Sequence, residues 1–143
     1  PWHKDAPTDR TEALALLTRY YAAFNAGDWE GMLDCLDDGV IHDINQGGRQ
    51  TGKDAFRSFL AYMERCYRER LDGIVLMASD DGTRGAAEFI VHGEYLATDE
   101  GLPEASGQTY TLPAGAFFSI AGGRITRVTV YYNLADWTAQ VGG

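Results

Sequence analysis

The chain has 143 residues, 45% of them hydrophobic and 23% charged, with a formal net charge of −9 and a pI near 4.6. That length suits one domain with a core of its own, and the balance of apolar to charged residues excludes a disordered chain. Lys and Arg gather nowhere into the positive footprint a nucleic-acid groove needs, and no apolar stretch approaches the length of a membrane span.

Residues 1–10 are polar and punctuated by Pro1 and Pro7, and read as a flexible arm ahead of a single domain over 11–143. Pro1-Trp2-His3-Lys4-Asp5 lacks the apolar run of a secretory signal, so a cytoplasmic location is expected. Thr8 or Asp9 caps a helix running to about Ala26, with Leu14, Leu17, Tyr21 and Phe24 on one face and Leu16, Tyr20 and Ala23 beside it. Gly27 ends that helix. Asp28 caps a second, which carries Trp29, Met32, Leu33 and Leu36.

Residues 40–45 read as a strand with an acid in its middle. Side chains alternate along a strand, so Ile41, Asp43 and Asn45 share one face and Val40, His42 and Ile44 the other. Beside Ile41, Asp43 is expected to lose part of its hydration, which raises its pKa and makes it a candidate general base. Gly52-Lys53-Asp54 opens a third helix with the apolar stripe Phe56, Phe59, Leu60, Met63 and Tyr67.

After Arg70 the periodicity changes. Residues 74–78 and 86–97 read as strands joined by a turn at Asp80-Asp81-Gly82-Thr83, and residues 98–108 as a polar loop. Strands follow over 110–120 and 125–133, joined at Ala121-Gly122-Gly123, and residues 134–141 form a short amphipathic tail. Gly93, Gly115 and Ala114 inside strands suggest bends. Helices first and hairpin-linked strands afterwards define an α+β domain: three N-terminal helices packed on a curved antiparallel sheet, closing a cone whose mouth suits a small molecule. Cys35 and Cys66 fall in helical patterns and read as buried thiols. His42, Asp43 and His92 lack the tight spacing of metal ligands, and no metal or cofactor is expected.

Several segments carry a resemblance. Arg19-Tyr20-Tyr21, Asn25-Ala26-Gly27-Asp28-Trp29, Asp37-Asp38-Gly39, His42-Asp43, Gly52-Lys53 and the Gly-Arg-Ile hairpin at Gly123 resemble the SnoaL-like and ketosteroid isomerase-like group of the nuclear transport factor 2-like superfamily. More narrowly, residues 42–49, 112–118 and 131–137 are similar to the ketosteroid isomerase-related subgroup. The resemblance implies a cystatin-like cone and a cofactor-independent enzyme of the isomerase or cyclase kind, acting on a small apolar, carbonyl-containing or cyclic compound. It puts the general base on Asp43 and the oxyanion tyrosine on Tyr20; the isomerase that supplies this template uses an Asp base, a Tyr and a protonated Asp.

The second oxyanion acid of that template has no counterpart, because residues 110–120 contain no Asp or Glu. Efficient steroid isomerisation is therefore not expected. His92 and Glu94 share a strand face with Glu88 and Ile90, and with that face turned inward His92 would serve as a donor or proton shuttle. Asn45, Glu94, Tyr110, Tyr132, Asn133 and Trp137 complete the expected pocket wall. An epoxide hydrolase-like reaction, using Asp43, Glu94 and an inward Arg, is an alternative. So is a non-catalytic module that binds a ligand or dimerises. The strands carry more apolar residues than one cone interior can absorb, so a homodimer through the outer sheet face is expected.

Overall fold

The computed structural model describes residues 9–45 and 47–142. Most of the expected arm lies outside them, but Arg10 already belongs to helix α1 (Arg10–Ala26), whose N-cap is Asp9: its carboxylate accepts from the Glu12 backbone N–H at 3.0 Å. Gly27 closes α1 with φ of 69°, the left-handed conformation that glycine adopts without penalty. Asp28 caps the short α2 (Trp29–Leu33). Then come β1 (Leu36–Asp43), β2 (Arg49–Thr51), α3 (Lys53–Cys66), β3 (Tyr67–Ala78), β4 (Arg84–Tyr95), β5 (Thr109–Ala121), β6 (Arg124–Tyr132) and α4 (Leu134–Gly142).

The six strands form one open sheet in the order β2-β1-β6-β5-β4-β3. The α+β cone is as expected, with three differences, the first being the added edge strand β2. The β1–β6 pair is parallel, so the sheet is mixed, and the amphipathic tail is a fourth helix. A bulge interrupts β3 between Asp72 and Val75, where Gly73 takes φ of 60°. Such an insertion increases local twist and lets the long hairpin curl.

Leu16, Leu17, Leu33, Leu36, Val40, Phe118, Ile125 and Val128 fill the space between helices and sheet and are almost fully buried. Cys35 and Cys66 are buried free thiols, as their patterns implied. Strand alternation then fixes two faces. Val40, His42, Tyr110, Leu112, Ala116, Phe118 and Val128 point inward, while Asp43, Glu88, Ile90, His92, Glu94, Phe117 and Tyr131 point outward, by register with them.

Candidate functional site

Asp43, expected to line the cone, lies on its outer face. Arg49 sits opposite it in the β1–β2 ladder and grips its carboxylate with two hydrogen bonds, 2.7 and 3.1 Å long. The Thr129 hydroxyl donates to it at 3.0 Å. The Arg49 bonds outweigh desolvation and hold the Asp43 carboxyl below its usual range, the reverse of the expected shift. Tyr20 is on the other side of the sheet, packed edge-on against Tyr21 and Phe118, and burial raises its pKa. The two do not form one site.

His92 and Glu94 are also outward. His92 lies 3.5 Å from Asp72, and Glu94 pairs with Arg68 at 3.2 Å. With both expected acids outside, an epoxide hydrolase-like arrangement of Asp43, Glu94 and an inward Arg does not form. Asn133 is a helix cap, accepting from the Asp136 N–H at 3.0 Å. His42 is the inward residue of its pair, 3% exposed and wedged between Phe56 and Phe59 with ring centroids 4.6 Å away on each side. Burial pushes its pKa down to about 4, so its imidazole is neutral at pH 7.

The remaining expected wall residues do converge, around an acid that the sequence reading passed over. β3 begins directly at the end of α3, seven residues before the expected start at Ile74, and this places Glu69 on the inner face opposite Gly93. The Tyr110 hydroxyl donates to the Glu69 carboxylate. Trp137 of α4 packs edge-on against Tyr67, Tyr95 and Tyr110, with centroids 6.0, 4.9 and 5.9 Å apart. Tyr67 stacks on Tyr95 at 5.4 Å. Tyr132 is on the same inner face, in register with Ala114 of β5, and Asn45 takes the Tyr132 backbone N–H at 3.2 Å.

Glu69 is an exposed residue of the edge strand, yet the surroundings of its carboxyl, where Tyr110 bonds it, lift its pKa above the ordinary carboxylate range by desolvation; the Tyr110 bond restrains that rise. The 98–108 loop is tied to this aromatic cluster by Asp99, which accepts from the hydroxyls of Tyr62, at 2.8 Å, and Tyr67.

Gly93 has a role here that the expected bend does not describe. A Cβ at this position would collide with the Tyr110 ring, which Tyr67 and Trp137 hold in place. Gly93→Ala is expected to break the Tyr110–Glu69 bond and to destabilise the fold by about 1–3 kcal/mol through overpacking. Urea denaturation and the loss of one slowly exchanging tyrosine hydroxyl proton in NMR spectra would register both effects.

An open six-stranded α+β cone of this topology defines a protein of the NTF2-like fold. Residues 17–128 match the model of the SnoaL-like domain, and the chain belongs to that family. It is similar to a provisionally named polyketide cyclase from Pseudomonas putida KT2440, at 64% identity over 90% of this chain and 97% of that one, with a TM-score of 0.89. A second provisionally named polyketide cyclase, from Silicibacter sp. TM1040, is 51% identical over 95% of this chain and 99% of that one, with a TM-score of 0.92. An NTF2-like protein of unknown function from Burkholderia pseudomallei K96243 shares the fold at 17% identity, covering 92% of this chain and 98% of its own, with a TM-score of 0.77. No curated protein sequence matches the chain.

Proposed function

We propose that the protein is a cofactor-independent enzyme of the isomerase or cyclase kind, with Glu69 as its acid–base group. The observation that carries this reading is the inward Glu69 carboxyl, with a raised pKa and a hydrogen bond from Tyr110, set among Tyr67, Tyr95 and Trp137. A carboxylate of raised pKa is a stronger base near neutral pH, and its protonated form is ready to return the proton to another atom. The aromatic walls favour a flat, largely apolar ring system carrying a ketone. The names given to the Pseudomonas and Silicibacter proteins support the cyclase side of this reading.

The test is proton exchange next to a carbonyl, which precedes either isomerisation or ring closure. α-Tetralone and a β,γ-unsaturated cyclohexenone, incubated with the protein in D2O, are expected to exchange their α-protons faster than in buffer, with saturation, as followed by 1H NMR. Exchange at the buffer rate for both ketones overturns the reading. Δ5-3-Ketosteroids are expected to be poor substrates, because the template's second acid falls near Gly115 or Ala116, and of these the inward residue of β5 is Ala116, which offers no donor. One missing oxyanion donor costs about 10²–10³ in turnover.

We further infer a homodimer through the outer face. Val75, Met77, Ile90, Phe117 and Tyr131 are exposed together there, the last two at 52% and 57% and in edge-on contact with each other. Monomers rarely leave so continuous an apolar face in water. Light scattering at micromolar concentration is expected to return twice the chain mass, and Phe117→Glu to return the chain mass alone. The free thiols of Cys35 and Cys66 favour a reducing compartment such as the cytoplasm. Among the described residues no helix is long and apolar enough to cross a membrane.

A further inference from the structure

Residues in register across the strands form rows on the outer face, and three neighbouring rows differ in character. The middle row runs Met77, Ala86, Phe117 and Thr129 across β3, β4, β5 and β6. On one side of it lies the row of Val75, Glu88, Gly115 and Tyr131. On the other side lies the row of Arg84, Ser119 and Arg127. Each row is two residues from the next along its strands, so strand alternation keeps all three on one face.

Elsewhere on this face charges are satisfied within the chain: Arg49 holds Asp43, and Arg68 pairs with Glu94. The two flanking rows are the exception. Glu88 is exposed and forms no ion pair among the described residues. Arg84 donates to the neighbouring Thr83 carbonyl, and Arg127 to the hydroxyls of Ser119 and Thr129. Neither guanidinium has a carboxylate at ion-pair distance among the described residues. The half-exposed Phe117 ring thus lies between a row with an open acid and a row with two open cations. Such a face is complementary to a second copy of itself, provided that symmetry brings the unlike rows together.

Two sheets stacked face to face with their strands roughly aligned admit two twofold axes through Phe117. An axis running along β5 exchanges β4 with β6. It sets Arg84 over the partner's Arg127, so that like charges meet twice in each dimer, and Glu88 over the negative face of the partner's Tyr131 ring. An axis running across the strands, along the middle row, exchanges the two flanking rows instead. Arg84 then meets the partner's Glu88, Arg127 covers the partner's Tyr131 ring, and Ser119 faces the partner's Gly115. Phe117 packs on the partner's Phe117. These contacts are an ion pair, a cation over an aromatic face, a pair of small residues and an apolar centre, and none is repulsive.

We propose that two copies pair about a twofold axis that crosses the strands at Phe117, with Arg84 of each copy on the partner's Glu88 and Arg127 of each copy on the partner's Tyr131. The arrangement rests on the homodimer reading of the outer face and adds which residues meet. The apolar side chains supply the attraction, and the charged rows select the axis, because the other axis buries guanidinium against guanidinium.

Charge reversal tests it. Glu88→Arg and Arg84→Glu should each raise the dimer dissociation constant, followed by sedimentation, by about 10-fold or more, since each sets like charges face to face twice per dimer. Mixed one to one, the two variants should form a heterodimer. Positions 84 and 88 are both basic in one copy and both acidic in the other, so both contacts are restored. A short bismaleimide checks the axis itself. Ala86→Cys, on the middle row, should cross-link to its own copy and Ser119→Cys should not; Cys35 and Cys66 are buried and leave the wild type uncross-linked. In a dimeric wild type, a mixture no more dimeric than its components, or cross-linking through Ser119→Cys without Ala86→Cys, overturns this arrangement alone. A wild type that sediments as a monomer overturns the homodimer reading and the arrangement with it.

Discussion

Glu69→Gln is expected to make the protein more stable at pH 7 and far less active. Removing a general acid–base group costs about 10²–10⁴ in rate, so α-proton exchange should fall by that factor. The stability effect has the opposite sign because Glu69 resides where its charge is poorly solvated. Its folded pKa lies above the unfolded value near 4.5, so the native state holds this proton more tightly than the unfolded chain does. The resulting stability is complete below the unfolded pKa and is lost as pH rises through the folded one. Glutamine has the same shape, still accepts from Tyr110 and never ionises. Thermal melts of the two proteins should therefore coincide near pH 4 and separate towards pH 7, with the variant higher. A variant that melts lower at pH 7 would show that Glu69 holds the fold together, and full exchange activity in that variant would remove it from the chemistry.

The largest expected effect on stability comes from His42 and runs in the acidic direction. Its imidazole is buried neutral against Phe56 and Phe59, with a pKa pushed from 6.5 down to about 4 by desolvation, which the nearby Asp43 charge only partly offsets. Below pH 6.5 the unfolded chain takes up a proton that the native state refuses. Stability is thus lost as pH falls from about 6.5 to about 4, by about 3 kcal/mol at 1.36 kcal/mol per pH unit. Asp43 and Asp81, whose folded pKa values are depressed, withdraw their contributions only below 3.8. The two windows are separable. Urea denaturation at pH 7, 5 and 4 should show the earlier decline, and His42→Leu, which fills the same pocket with no titrating group, should flatten it. A variant as acid-sensitive as wild type between pH 6.5 and 4 would place the sensitive group elsewhere.

The sequence carried the class of fold, because its signals are local. Asp9 and Asp28 before apolar periodicity, Gly27 after it, and turn residues between alternating runs mark helices and hairpins through backbone preference alone. Part of the aromatic cluster was also legible: Tyr110 and Trp137 are large groups at or near strand ends, and both join it. Glu69 was not. Tyr67 falls four residues after Met63 and completes the helical stripe of α3, and Arg68-Glu69-Arg70 shows no apolar alternation, so the start of β3 looked like the end of a helix. One signal was available, since Tyr67, Glu69 and Leu71 sit two apart and share a strand face.

Alternation by itself correctly separated Asp43 from His42, because it follows from backbone geometry within one strand. It could not say which of the two faces would turn inward. That choice was made by partners distant in sequence: Phe56 and Phe59 offer an apolar bed to an imidazole that can shed its charge, whereas Arg49 and Thr129 offer charge and a hydroxyl to a carboxylate that keeps it. The side chains, their spacing and the family they belong to were written in the chain. Which acid is desolvated depends on the packing of β3 against β4 and of α4 against β5, and desolvation is a property of the surroundings that the residue itself does not carry.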